Sequence, residues 1–494
     1  MDAAVKCTVP DVYKRHRPER SLWYRTVQGY FETWLALSTM LFNSPPSAYV
    51  ERAFRRFLEC GILVFGFARA RCDKCGHDFL IAFSCKERGV CPSCNARRMV
   101  ETAAHLVDHV FPRLPVRQWV LSVPKRLRYF LQRDAALQGV VLRVFLHEVE
   151  HCLRKHSSGC GATARMGAVA FIQRFGSSLN EHVHFHCCVI DGVFDLSTAN
   201  HEAVVFHQAC KFDAEDFHHV QETVRRRILD IFVHRKLIEK VDGDEMAAQK
   251  HAGGFSVDAS IRVEAADRSG LERLLRYCAR PPFSLERLQQ LNDGHLIYHC
   301  TRSRLEAPRP NVPNDLVLTP VELISRIAAL IPPPKLHLHR YYGVLAPNAH
   351  MRTAVTALAK DAETVSSPEI TASHKPSHHA ASHYLWYMLL MKLLAIRLSE
   401  QTTLAKSLVM ARIYEAFPLI CPICNAPMRI IAFITDADTT RHGTHRRTNA
   451  AILSPARGPP LWEVAMAPDQ ASNDPQWDFA QPEPDYEFDQ RLSW

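Results

Sequence analysis

Residues 172–190 read IQRFGSSLNEHVHFHCCVI, two apolar arms about a short polar centre. The arms extend over 166–175 and 182–190, and GSSLNE (176–181) between them has the turn-forming residues of a hairpin loop. Side chains along a strand alternate between its two faces. His182, His184 and His186 therefore share one face, and Val183, Phe185, Cys187 and Val189 share the other. The apolar face requires a core. The histidine face is either a polar, solvated surface or a set of imidazoles spaced for a metal ion. With 176–181 as the loop, Gln173 falls opposite His184 on the same face. Imidazole suits zinc, manganese, nickel or cobalt, whereas magnesium prefers oxygen donors. A sparsely ligated ion would keep open positions for a phosphate oxygen.

Outward from this hairpin, WVLSV (119–123) predicts a strand that Pro124 ends, SVDASIRVEA (256–265) alternates as a strand does, and LIYHC (296–300) is another short run. Helical patterns mark 1–60, 96–112, 135–155, 214–239, 270–280, 320–330 and 384–417. Segment 361–383, rich in Ser, His, Thr and Pro, reads as a linker, and the chain after about residue 436 reads as irregular. In LERLLRYCAR (271–280), Leu271, Leu274, Leu275 and Cys278 form a buried stripe at i, i+3, i+4, i+7, before Pro281 and Pro282 stop the helix. Tyr277 lies off that stripe, with Arg273 at i−4 and Arg280 at i+3. Guanidinium groups beside a phenol favour its ionised form and also grip phosphate. Alone, Tyr277 is a boundary residue; beside the histidine strand it is a candidate nucleophile, with Arg273 and Arg280 as candidate phosphate contacts.

The 494 residues are 47% hydrophobic and 22% charged, proportions that exclude wholesale disorder and fibrous classes. The net charge is +9, but it is uneven. Segment 461–494 holds eight acids and one arginine, so the rest of the chain carries +16. A basic body with an acidic tail suggests a polyanionic partner. No apolar run reaches the ~18 residues of a membrane span, and MDAAVKCTVP lacks an apolar signal segment. The 16 cysteines are thus expected as thiols and metal ligands in a reducing cytoplasm.

Cys72-x-x-Cys75 and Cys91-x-x-Cys94 are two knuckles separated by 15 residues. Four soft ligands satisfy tetrahedral zinc, so one closed structural site is expected from Cys72, Cys75, Cys91 and Cys94, with HDFLIAF as a connecting strand. Cys85 and His77 lie between the knuckles and either replace a ligand or pack. Arg97 and Arg98 follow on the next helix as candidate phosphate contacts. A further knuckle, Cys421-x-x-Cys424, has no nearby partner in sequence and is either a packed loop or a metal ligand pair. His147-Glu148-Val149-Glu150-His151 matches the zinc-protease pattern H-E-x-x-H. Its apolar stripe, Leu142, Phe145, Leu146, Val149 and Leu153, puts both histidines on the opposite, exposed face, and no third histidine follows at metzincin spacing.

Together these motifs resemble one family. RCDKCGHDFLIAFSCKERGVCPSCNARRM resembles the zinc-binding domain of rolling-circle transposases of bacterial insertion sequences. IQRFGSSLNEHVHFHCCVIDGVF is similar to their His-hydrophobe-His (HUH) motif, and LERLLRYCARPP to their catalytic tyrosine motif. LTPVELISRIAALIPPPKLHLHRYYGVLAPNA, ICPICNAPMRIIAFITD and the closing FDQRLSW are similar to blocks of the common-region (ISCR) branch. The resemblance implies an α+β chain: a helical segment over 1–60, a zinc ribbon over 61–115, an HUH-type antiparallel sheet flanked by helices over 116–305, and a mainly helical C-terminal region over 306–494. It implies a cytoplasmic, nucleoid-associated enzyme that nicks and rejoins single-stranded DNA at element ends and targets, as a monomer or homo-oligomer, without a membrane. Tyr277 would form a 5′-phosphotyrosyl link. His184 and His186 would hold Mg²⁺ or Mn²⁺, completed by Gln173 or His182, and zinc would be structural. The two-tyrosine branch has a second Tyr four residues on; here that position is Pro281, which matches the single-tyrosine branch. The alternatives are a non-catalytic zinc-ribbon DNA-binding protein and a zinc protease using His147, Glu148 and His151.

Overall fold

The computed structural model describes residues 17–196, 204–249, 254–291, 294–300, 315–359, 421, 423–424, 426 and 428–435. Ser21 starts helix α1 (Leu22–Phe42) by accepting a hydrogen bond from the Tyr24 N–H. Its aromatics, Trp23, Tyr24, Phe31 and Trp34, turn to one side and bury against Phe54 and Phe57 of α2 (Ala48–Glu59). Strands β1 (Phe67–Cys72) and β2 (Asp78–Ala82) form a hairpin, and α3 (Pro92–His109) opens on a proline, which suits a first helical position.

The central part runs β3 (Val116–Ser122), α4 (Lys125–Arg133), α5 (Ala135–Lys155), β4 (Gly167–Phe175), β5 (Glu181–Ile190), β6 (Gly192–Leu196), β7 (Val204–Gln208), α6 (Ala214–His234), α7 (Lys240–Ala248), β8 (Ser256–Asp258), β9 (Arg262–Val263) and α8 (Arg268–Cys278). Then follow β10 (Leu288–Gln290), β11 (Leu296–His299), β12 (Asp315–Leu318), α9 (Pro320–Leu330), β13 (His339–Gly343), α10 (Arg352–Ala357) and β14 (Met428–Ile434). The largest sheet has the order β13-β4-β5-β3-β8, with β9 also on β3, and every pairing in it is antiparallel.

Both faces of this sheet are covered by helices. On one, Val183, Phe185, Cys187 and Val189 of β5 meet Leu142, Phe145 and Val149 of α5 and Val224, Ile228 and Phe232 of α6. On the other, Cys188 and Ile190 meet Leu106 and Val107 of α3 and Leu271, Leu274, Leu275 and Cys278 of α8. The stripe expected on α8 is thus the surface by which it rests on the sheet. Asp191, wholly buried at the end of β5, pairs with Arg117 of β3 and Arg262 of β9 at 3.0 and 2.6 Å and so ties these strands together.

Several expectations hold in detail: α5 spans 135–155 and α9 spans 320–330. Others are corrected. The strand expected over 256–265 is broken into β8 and β9, because Asp258 turns back to accept from the Ser260 N–H at 3.0 Å. The helix expected over 214–239 stops at His234, and Lys236 adopts a φ of 57°. Beyond residue 305 the described residues form two helices and three strands, and most of the region expected to be mainly helical lies outside the described residues. Among them, β13 edges the large sheet and β14 joins β1 and β2 in the order β14-β1-β2. The segments 361–383 and 384–417 and the acidic tail lie outside the described residues. No helix among the described residues is long and apolar enough to cross a membrane.

Gly343 closes β13 with a φ of 60°, and the Val344 N–H donates to the Met166 carbonyl at 2.9 Å. A Cβ at residue 343 would run into that same carbonyl oxygen. Gly294 also has a positive φ, of 76°, but nothing crowds it. Gly294→Ala should therefore cost about 1–2 kcal/mol, the left-handed penalty alone. Gly343→Ala should cost more, upwards of about 3 kcal/mol, since backbone must also move. Thermal unfolding of the two variants side by side checks this, and equal losses would refute the packing account of β13.

Candidate active site and cysteine centres

The β4–β5 register places Gln173 opposite His184, as the hairpin reading expected. His182, His184 and His186 project from β5 with ring centroids 4.9 Å apart in each successive pair. All three are buried, and burial lowers their basicity, His184 to about 3 and the other two well below the usual histidine range. Arg128 and Arg280 push His184 the same way, while its bond with the His182 carbonyl opposes them. The imidazoles are therefore neutral at physiological pH, the form that ligates a metal. The face is not a solvated polar surface.

Helix α8 lies across this face. The Tyr277 ring stands edge-on to His186, with centroids 5.5 Å apart and planes at 88°. Two glutamines hold the arrangement. Gln173 Nε2 donates to the carbonyls of Tyr277 and Cys278 at 3.2 and 3.0 Å, occupying acceptors at the helix end. Its Oε1 accepts no hydrogen bond among the described residues. Gln118 of β3 meets His186 Nδ1 at 2.9 Å and Cys278 Sγ at 3.3 Å. Sequence reading missed Gln118, which lay just outside the strand expected over 119–123.

The arginines divide. Arg280 lies over the Tyr277 ring at 4.5 Å and over Phe175 at 5.7 Å. Arg273 instead turns to the start of α8, bonded to Ser269 and paired with Asp267 at 3.8 Å. The expectation that two guanidinium groups favour the phenolate needs correcting. Burial raises the Tyr277 pKa, and Arg280 only partly offsets it. Arg97 and Arg98 are exposed on α3, with Arg98 donating to the Lys86 carbonyl at 2.7 Å. Tyr341 and Tyr342 of β13 are half-buried against the two cores, Tyr341 beneath Arg352.

The H-E-x-x-H residues do not assemble a site. His147 and His151 are exposed on α5, and Glu148 is engaged by Arg227. Among the described residues, two groups gather ligand atoms within 4.8 Å of one another, and both are cysteine quartets. The single site expected from Cys72, Cys75, Cys91 and Cys94 is divided between them. Cys91 and Cys94 join Cys60 and Cys85, while Cys72 and Cys75 join Cys421 and Cys424. The physical reason is the β1–β2 hairpin, which carries the first knuckle on its turn, whereas the second opens α3 beside the end of α2. Cys60 carries no sequence signal, since it belongs to no knuckle.

In the first quartet Sγ–Sγ distances are 3.7 Å for Cys60–Cys94 and Cys60–Cys91, and 3.6 Å for Cys85–Cys94. Four thiolates about 2.3 Å from one ion sit about 3.8 Å apart, whereas a disulfide brings sulfurs to about 2.0 Å. The quartet therefore fits a closed, structural zinc. Its hydrogen bonds push the four thiols apart in acidity, Cys94 down through Cys60, Cys85 and Cys91.

Two family models match the chain. The transposase family Y2_Tnp covers residues 167–353, from the start of β4 into α10. The transposase zinc-binding domain of the IS91 type covers residues 28–123. No curated protein and no solved structure matches. The α+β fold with its cysteine centre and the two matches define a transposase, an enzyme that cuts and rejoins DNA. The two matches together support a transposase of the IS91 type. Its matched zinc-binding domain contains the whole first quartet and supports zinc there as a structural ion.

Cys60→Ser should accordingly behave as Cys94→Ser does: loss of about one zinc per chain and a melting temperature lower by roughly 6–12 °C, the shift that about 3 kcal/mol produces in a mid-sized domain. Cys152→Ser, a buried thiol outside both quartets, should leave zinc content unchanged. Elemental analysis with thermal melting checks this, and a Cys60→Ser protein with full zinc would remove Cys60 from the ligand set.

Proposed function

We propose that this transposase is of the HUH, single-tyrosine, rolling-circle kind, and that it nicks and rejoins single-stranded DNA through a 5′-phosphotyrosine on Tyr277. The observation that carries the proposal is the Tyr277 ring set edge-on to His186. His184 and His186 are the metal ligand pair, with Gln173, opposite His184 in register and with its Oε1 unpaired among the described residues, or His182 completing the site. The donors fit: neutral imidazoles with an amide oxygen suit Mn²⁺ and admit Mg²⁺. When bound, such an ion supplies a positive charge that polarises the scissile phosphate.

The chain's own residues do the rest. Tyr277 Oη attacks phosphorus and the P–O3′ bond breaks; the phenol proton is lost and O3′ leaves as a hydroxyl. The tyrosyl ester retains the phosphodiester's energy, so a DNA 3′-OH can reverse the step on another end and regenerate the phenol. Arg280 stays over the ring, favours loss of the phenol proton and faces the anionic substrate. Gln173 fixes the end of α8 through two carbonyls, and Gln118 positions the His186 ring. The blocks over 318–349 and the closing FDQRLSW support the common-region branch. Pro281 in place of a second tyrosine means both strand transfers run through Tyr277 or through a second copy of the chain.

Tyr277→Phe removes one oxygen and little packing. It should fold and bind single-stranded DNA but form no protein–DNA adduct on a denaturing gel with Mn²⁺ or Mg²⁺. His184→Ala with His186→Ala should lower nicking at least 10³-fold, within the range that general electrostatic stabilisation supplies. Tyr341→Phe and His147→Ala should leave adduct formation unchanged. An adduct formed by Tyr277→Phe and lost from Tyr341→Phe would relocate the nucleophile.

A further inference from the structure

We propose that Cys72, Cys75, Cys421 and Cys424 hold a second zinc ion, and that this ion staples strand β14 to the N-terminal hairpin. The inference rests on reading cysteine quartets as zinc centres in this chain. It concerns residues beyond the matched zinc-binding domain, since Cys421 and Cys424 lie outside residues 28–123 and 167–353 alike.

The sulfurs are spaced for a shared ion. Cys72 and Cys424 are 3.5 Å apart, Cys75 and Cys421 are 3.4 Å apart, and all four lie within 4.8 Å of one another. Both separations are far beyond the ~2.0 Å of a disulfide and near the ~3.8 Å of tetrahedral thiolates.

The two knuckles also repeat one another. The Cys72 N–H donates to the His77 carbonyl and the Cys421 N–H to the Ala426 carbonyl, each at 2.8 Å and each five residues on. A loop that merely packed would have no reason to reproduce this donor pattern 346 residues away.

The surrounding packing shows what the ion is for. β14 pairs with β1 from Phe67↔Ile434 to Cys72↔Met428, yet among the described residues the core beneath has only Ala70, Cys72, Cys421 and Met428 buried, with Phe79, Ile81, Cys424 and Ala426 half-buried against it. Phe433 and Ile431 on β14 are exposed, and its ion pair, Arg429 with Asp73 at 3.3 Å, is at the surface. Exposed pairs contribute little, and so small a core among the described residues gives the strand little hydrophobic anchorage.

The test is zinc per chain by elemental analysis of reduced, full-length protein, read together with hydrogen exchange at β1 and β14. The wild type should hold two zinc ions. The double variant Cys421→Ser/Cys424→Ser should hold one, and its β1 and β14 amides should exchange at least tenfold faster while β4 and β5 keep their protection. A wild type with one zinc, lost in Cys60→Ser but kept in the double variant, overturns the staple and leaves the first centre standing. A wild type with no zinc, or with disulfides between these sulfurs, overturns both. Stepwise chelation of the wild type provides a check that needs no variant. Because Cys75 is exposed while the first quartet is buried, the first zinc removed should be the one whose loss releases β14. Removal of both ions without faster exchange at β14 overturns the proposal.

Discussion

The pairing of β4 with β5 is the constraint on which the remaining geometry depends. Strand side chains repeat every two residues, so a slip of one position would send the three histidines into the core under α5 and α6 and Phe185 to the opposite face. Nothing in the helices could absorb that exchange. The register is set by the tight loop between Phe175 and Glu181, while Asp191 with its two arginines fixes β5 against β3 and β9. Once it is set, Gln173 is opposite His184 and Gln118 is beside His186, and the helix carrying Tyr277 has a single apolar stripe by which to dock.

Docking α8 there has an electrostatic cost. It buries three imidazoles, a phenol and two glutamines on one face, and each polar atom so buried requires a partner. The glutamines meet part of that requirement, one at the helix end and one at a histidine ring. The same burial keeps the imidazoles neutral, the form able to ligate a metal, and raises the tyrosine's pKa, so its phenol stays protonated. Arg280 is the nearest counterweight, and the placement of Arg273 at the other end of the helix leaves it alone in that role.

Much of this was legible in the sequence because it depends on short periodicities. The alternation through 182–190, the loop before it and the stripe on 271–278 each need fewer than a dozen residues, and each appears in the structure where the spacing put it. Contacts between distant segments were not legible. Cys60 has no partner at knuckle spacing, and nothing near Cys421 announces Cys75, so pairing knuckles by proximity in sequence joined the wrong halves. Gln118 lies outside the strand read from the sequence, and only the fold brings His186 to it. Arg273 and Arg280 flank Tyr277 on a helical wheel, but only the local competition from Asp267 and Ser269 decides which one stays.

The cysteines joined across 346 residues bear on how the chain is made. Ribosomes extend a chain by about 5–20 residues per second, so Cys72 and Cys75 emerge roughly 20–70 s before the thiols they meet. For that interval two thiols on the β1–β2 turn are exposed beside a first quartet whose four members are all within residues 60–94 and can already close. On the proposed second centre, the order of metal capture would follow the order of synthesis: the early quartet can close on a nascent chain, and the late one only once translation has passed residue 424.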